Sequence, residues 1–163
     1  MTADLAAMIG ALRSKDTKAQ AAAAQQLAQL GEDAQKAAVP LVEACAADES
    51  MREWVTAALE GLGAPQATDV PALIALLKRT ELDVAYWAAT LLGRLHADAA
   101  PAVAALVEAL ERHREGAVRE RAAWALGQIG PAASAALAPL RTLSSGHGRL
   151  ARLAGDAVKQ ITS

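Results

Sequence analysis

One apolar pattern returns five times along the chain at intervals of about 33 residues, and self-similarity at that period is the signature of stacked supersecondary units. Its first part is Leu5/Met8/Leu12, then Val39/Val42/Ala46, Val70/Leu73/Leu77, Val103/Leu106/Leu110 and Leu137/Leu140/Ser144, whose starts lie 34, 31, 33 and 34 residues apart. Offsets of three and seven place the three residues on one face of a helix. A second pattern follows each of these: Ala19/Ala23/Gln26/Leu27/Leu30, Met51/Val55/Ala58/Leu59/Leu62, Val84/Ala88/Leu91/Leu92/Leu95, Val118/Ala122/Ala125/Leu126/Ile129 and Leu150/Ala154/Ala157/Val158/Ile161. This is again one helical stripe, and no segment alternates with period two.

A hairpin of two amphipathic helices cannot bury its own apolar stripe, so neighbouring hairpins must supply the core. A closed helical bundle is the rival, but a bundle has no need to repeat one internal order. The expectation is therefore all-α, ten helices in five antiparallel pairs, forming a single domain over 1–163 with repeats near 1–33, 34–66, 67–98, 99–131 and 132–163.

Helix punctuation agrees with this register. Asp16, Ser50, Asp83 and Ser145 stand where caps of the second helices are needed, and Gly31, Gly63 and Gly130 follow the last apolar residue of the stripe. Pro71, Pro101 and Pro131 lie near the starts of first helices, whereas Pro40 lies deeper and predicts either a kink or a late start. Leu95-His96 replaces the Leu-Gly or Ile-Gly of the other internal repeats, which puts the geometry of that turn in question. The terminal repeats have no fully polar outer helix: Leu5, Met8, Ile9 and Leu12 at one end, and Leu150, Leu153 and Val158 at the other, predict residual apolar surface and self-association through an end.

Composition narrows the chemistry. Hydrophobic residues make up 53% of 163, yet there is no Phe, one Tyr and three Trp, so the core is built from Ala, Leu and Val and suits closely packed helices. Cys45, at the end of a first helix, is the only cysteine; an intramolecular disulfide is impossible, and the residue reads as a small packed thiol. The N-terminal segment has no basic leader before an apolar run, and no stretch of about 18 apolar residues occurs, so a cytoplasmic protein is expected. Arg outnumbers Lys by 11 to 5, a balance expected of a GC-rich bacterial genome. The net charge of -2 disfavours a binder held by phosphate contacts, although Gln35 to Gln66 is acidic and Ala133 to Ser163 basic.

The segments AVAALVEALERHREGAVRERAAWALGQIG (102–130) and DVPALIALLKRTELDVAYWAATLLGRL (69–95) resemble the HEAT-like repeats of the phycobilisome-lyase type. The likeness extends over the whole chain, is strongest in the fourth repeat, and is weakest in the first, where Ala21 to Ala24 replace larger residues. It implies a right-handed α-solenoid whose second helices line a concave surface. Among proteins with such repeats, hydroxylases carry His-Glu pairs for di-iron; here His96 precedes Ala, His113 precedes Arg and His147 precedes Gly, so no metal and no cofactor is expected. DNA glycosylases of this kind use aromatic, acidic and basic groups on the concave face, which directs attention to Trp87, Trp124, Arg121 and Asp156.

The resemblance implies that three positions per second helix vary with the ligand. Here they are Ala21, Ala22 and Gln25; Glu53, Trp54 and Ala57; Tyr86, Trp87 and Thr90; Glu120, Arg121 and Trp124; Arg152, Leu153 and Asp156. All four aromatic residues fall in this set. Glu53, Trp54, Tyr86, Trp87, Thr90, Glu120, Arg121 and Trp124 are accordingly the candidate partner-binding residues, with Tyr86 and Trp124 the ones expected to be exposed; Trp54 and Trp87 fit packing between repeats equally well. Arg119 and its counterpart Arg52 lie on the opposite flank and are expected to brace the adjacent repeat through a carboxylate. The leading expectation is a non-enzymatic scaffold that binds a protein on the second-helix face. The alternatives are a glycosylase-type nucleic-acid enzyme and a structural spacer within a larger assembly.

Overall fold

The apolar stripes become helices where the period places them. A computed structural model describes residues 2–46 and 49–163. Two compact units result, Met1–Asp69 and Val70–Ser163, and the seam falls between the second and third repeats. The first unit holds α1 (Thr2–Leu12), α2 (Thr17–Leu30), α3 (Ala38–Ala44) and α4 (Arg52–Gly61). The second holds α5 (Val70–Leu77), α6 (Leu82–Arg94), α7 (Val103–Arg112), α8 (Gly116–Ile129), α9 (Leu137–Ser144) and α10 (Arg149–Thr162). Among the described residues there are ten α-helices and no strand, and no helix is long and apolar enough to cross a membrane.

Each first helix packs on the second helix that follows it, and within the second unit α6 packs on α8 and α8 on α10. The α4, α6 and α8 stripes are buried at every position, Met51 to Leu62, Val84 to Leu95 and Val118 to Ile129. Full burial of each larger side chain in them contributes roughly 1.5–3 kcal/mol. In α2 the corresponding core is Ala23, Ala24 and Leu27, with Gln26 exposed. At the chain ends Leu5, Met8, Ile9, Leu150, Leu153 and Val158 are half-buried, while Leu12 is buried.

The first helices are shorter than the sequence suggests because 3-10 segments precede four of them: Ala67–Asp69 leads into α5, and the other three segments are seven residues long. These three are Gly31–Ala37, His96–Ala102 and Gly130–Ala136, the last kinked at Ala133 (φ -92°, ψ 19°). Side chains three apart eclipse in a 3-10 helix, and each of the three buries one such alanine pair: Ala34/Ala37, Ala99/Ala102 and Ala133/Ala136. Pro40 accordingly lies in the first turn of a late-starting α3 rather than at a kink, and Pro101 and Pro131 belong to the 3-10 segments.

Capping is less regular than expected. Asp16 does cap α2, accepting from the N–H groups of Lys18 and Ala19 at 3.0 and 3.4 Å. The N-cap positions of α4, α6 and α10 are instead Met51, Glu81 and Gly148, none with a side-chain cap bond, so Ser50 and Ser145 precede the cap and Asp83 lies inside the first turn. At α6 the local electrostatics fall to Arg79, whose Nε donates to Glu81 at 3.2 Å and whose side-chain bond holds that carboxyl down at about 2. Gly31, Gly63 and Gly130 all have positive φ, as the C-terminal turn demands, and His96 adopts the same left-handed region at φ 49°.

Candidate functional site

The candidate residues separate by unit. Glu53 and Trp54 belong to α4 of the first unit, where Glu53 is exposed and Trp54 has 37% of its surface open to solvent. Trp54 is thus partly open to water while most of its surface is covered.

In the second unit α6 contributes Tyr86, Trp87 and Thr90. Trp87 and Thr90 are 8% and 5% exposed, which removes both from the binding surface assigned to them by register. The physical reason is local: Trp87 packs edge-on against Tyr86 (centroids 5.8 Å apart, planes at 87°) and is covered by the Arg94 guanidinium at 5.8 Å, while the Thr90 hydroxyl donates to the Tyr86 carbonyl at 2.8 Å.

Tyr86 and Trp124 are brought together through Arg121. Its guanidinium carbon lies 4.5 Å from the Tyr86 ring centroid and 5.0 Å from that of Trp124, and its Nη2 donates to the Tyr86 hydroxyl. Two cation–π contacts and one hydrogen bond fix an otherwise flexible side chain. Glu120, the preceding residue of α8, is held from α10 by Arg149, Nε to Oε2 at 3.3 Å. With Ala117 and Leu153 these residues line a cleft of about 180 Å³ across the second helices α6, α8 and α10. Arg149 lies one residue ahead of the periodic positions and so escaped the register; its charge, opposite to that of Glu120 on the neighbouring helix, is the signal that could have found it.

Trp124 has a second role. A Cβ on Gly93 of α6 would lie 2.5 Å from its Cζ3 and 3.0 Å from the Ala125 Cα, so the indole fills the space a side chain would otherwise take. One face of the ring is packing and the remainder is cleft wall, which is why Trp124 is half-buried. Truncating it would disturb the α6–α8 contact, contrary to the expectation of a purely superficial residue.

The flanking basic residues act differently from the prediction. Arg119 donates from Nε to the Leu110 carbonyl at 2.9 Å, closing the end of the first helix of its own repeat rather than reaching a carboxylate of the next. Arg52 pairs with Glu49 at 3.7 Å on the surface. Cys45 is half-buried, its thiol donating to the Leu41 carbonyl at an S···O distance of 3.6 Å.

Comparison with solved structures identifies the fold. A designed armadillo repeat protein, YIII(Dq.V1)4CPAF, in complex with the peptide (KR)4, superposes with a TM-score of 0.69 at 20% identity, over 98% of this chain and 82% of that one. An engineered protein superposes with a TM-score of 0.65 at 23% identity, over 98% and 80% respectively. No curated protein matches the chain. The architecture is thus that of an all-α repeat solenoid. Residues 70–158, more than half of the chain, match the family described as HEAT repeats. The repeat register, the paired helices and that match together make this chain a member of the HEAT repeat family.

Proposed function

We propose that this protein is a non-enzymatic interaction module that holds a segment of a partner protein against the second-helix face of its second unit. The reading rests on Arg121: a guanidinium immobilised by Tyr86 and Trp124, at the edge of an open cleft, has already lost the side-chain freedom that binding would otherwise take away. Trp, Tyr and Arg are also the residue types that dominate interface energetics. The designed armadillo relative holding a peptide supports a similar use of this fold here, in a chain whose charge of -2 does not favour nucleic acid. Asp156, which the glycosylase alternative would need, is exposed and engaged with Lys159 at 3.4 Å. A spacer has no evident need of half-exposed Tyr86 and Trp124 beside a cleft. Self-association through the half-buried apolar residues of the terminal helices belongs to the same proposal.

The test is affinity capture with the wild-type chain and with Tyr86→Ala/Arg121→Ala, followed by mass spectrometry and a titration of the captured protein. The double variant is expected to keep its helical spectrum and to bind at least about 30-fold more weakly, the equivalent of a hot spot of about 2 kcal/mol. Equal capture by both chains would refute the proposed face.

A further inference from the structure

We infer that the cleft between α6, α8 and α10 is a carboxylate subsite, so that the segment it takes is acidic, with an Asp or Glu side chain on Arg121 and an apolar side chain beside it on Leu153 and the Trp124 ring. This rests on the interaction reading above and adds the chemistry of the occupant.

The argument is one of unmatched charge. Of the three ionised side chains lining the cleft, Arg149 and Glu120 neutralise one another at 3.3 Å. Arg121 is left over. Among the described residues no carboxylate lies within 4.0 Å of its guanidinium, and of five N–H donors it spends one, on the Tyr86 hydroxyl. The rings compensate part of its charge, but they accept none of its in-plane hydrogen bonds. A guanidinium held in one orientation with donors free is complementary to a carboxylate, which accepts two parallel N–H bonds. Arg152, exposed on α10 three residues beyond Arg149, adds positive potential near the cleft. A cationic occupant would meet Arg121 on the rings it would itself require, and the one carboxylate in the lining is already paired. A volume of about 180 Å³ suits one or two side chains, and its apolar part is supplied by Ala117, Leu153 and the indole.

The experiment titrates three octapeptides, (Glu-Leu)4, (Ser-Leu)4 and (Lys-Arg)4, into the full ¹⁵N-labelled chain, following the Arg121 Nε–H and Trp124 indole N–H resonances, with Arg121→Met, Tyr86→Ala and the distant Arg141→Glu as variants checked for helicity. Saturable shifts at both resonances with (Glu-Leu)4 alone are expected, about 10-fold weaker for Arg121→Met and unchanged for Arg141→Glu, as loss of a charge-assisted pair implies. Equal or tighter binding of (Ser-Leu)4 or (Lys-Arg)4 that is still lost in Tyr86→Ala would overturn the carboxylate assignment while leaving the binding face intact. Absence of any peptide binding dependent on Tyr86 would overturn both.

Discussion

At the end of α6 the backbone enters the left-handed region at His96 (φ 49°), where the equivalent turns use Gly31, Gly63 and Gly130. A side chain in that region costs roughly 1–2 kcal/mol relative to glycine. His96 recovers part of this through Nδ1, which lies 3.0 Å from the Gln128 carbonyl, an exposed contact that water can replace. His96→Gly is therefore expected to raise stability by about 0.5–1 kcal/mol in chemical denaturation, after allowing for the greater freedom of glycine in the unfolded chain, whereas His96→Ala keeps the strain and loses the contact. Stability unchanged or lowered by His96→Gly would show that the imidazole contact outweighs the strain. The position was legible in the sequence as a break in the Leu-Gly rule, but its conformation was not, because a single histidine is compatible with either turn. Trp124 and Trp87 teach the same lesson: period placed both on the second-helix face, while only the packing against Gly93 and under Arg94 decided how much of each ring water reaches.

At the scale of elements, helix spacing turns on which glycine faces a neighbour. A Cβ on Gly93 would meet the Trp124 ring at 2.5 Å and the α8 backbone at 3.0 Å, and neither can yield without moving α6 from α8. On Gly155, in the middle of α10, the nearest atom outside its own helix is the Ser144 Cβ at 3.8 Å, ordinary contact. Gly93→Ala is expected to destabilise by about 1–3 kcal/mol through overpacking, and Gly155→Ala to stabilise by up to about 1 kcal/mol through helix propensity; guanidinium melts of the two variants read the contrast directly. Nothing in the local sequence tells these glycines apart. The stripes of α4, α6 and α8 were fully legible, since for example Val118, Ala122, Ala125, Leu126 and Ile129 are all buried as the period requires, whereas Gln26 of α2 and Ala46 after α3 are exposed. The seven-residue 3-10 segments were not: their only mark is a buried alanine at every third residue, a signal hidden in a chain so rich in alanine.

Across the whole molecule the two units differ in what fills them. In the first, α2 buries only Ala23, Ala24 and Leu27, whereas in the second, α8 buries seven residues including Val118, Leu126 and Ile129. Cavity-free burial of large side chains sets the local opening free energy. Amides of α1 and α2 are therefore expected to exchange with deuterium at least about 10-fold faster than those of α6 and α8, measured on the intact chain; uniform protection would mean that the chain opens as one cooperative body. The same gradient was visible in the sequence, where the fourth repeat bore the clearest resemblance and the first the faintest, and the family match over 70–158 begins at the second unit. The division into two units had no counterpart in the periodicity, which runs through the seam without a change of register.

The 3-10 segments also govern where the chain can change length. From the last residue of one stripe to the first of the next the separation is eight residues at Leu62–Val70, Leu95–Val103 and Ile129–Leu137, and nine at Leu30–Val39. Within repeats the corresponding step varies from five at Ala46–Met51 to eight at Leu110–Val118. A residue added to a three-per-turn segment rotates everything beyond it by about 120° and swings one alanine of the pair out of the core, while a residue added to an exposed turn only lengthens it. Within this one chain the turns inside the helical hairpins thus vary by up to three residues in span, whereas the joints between hairpins vary by one.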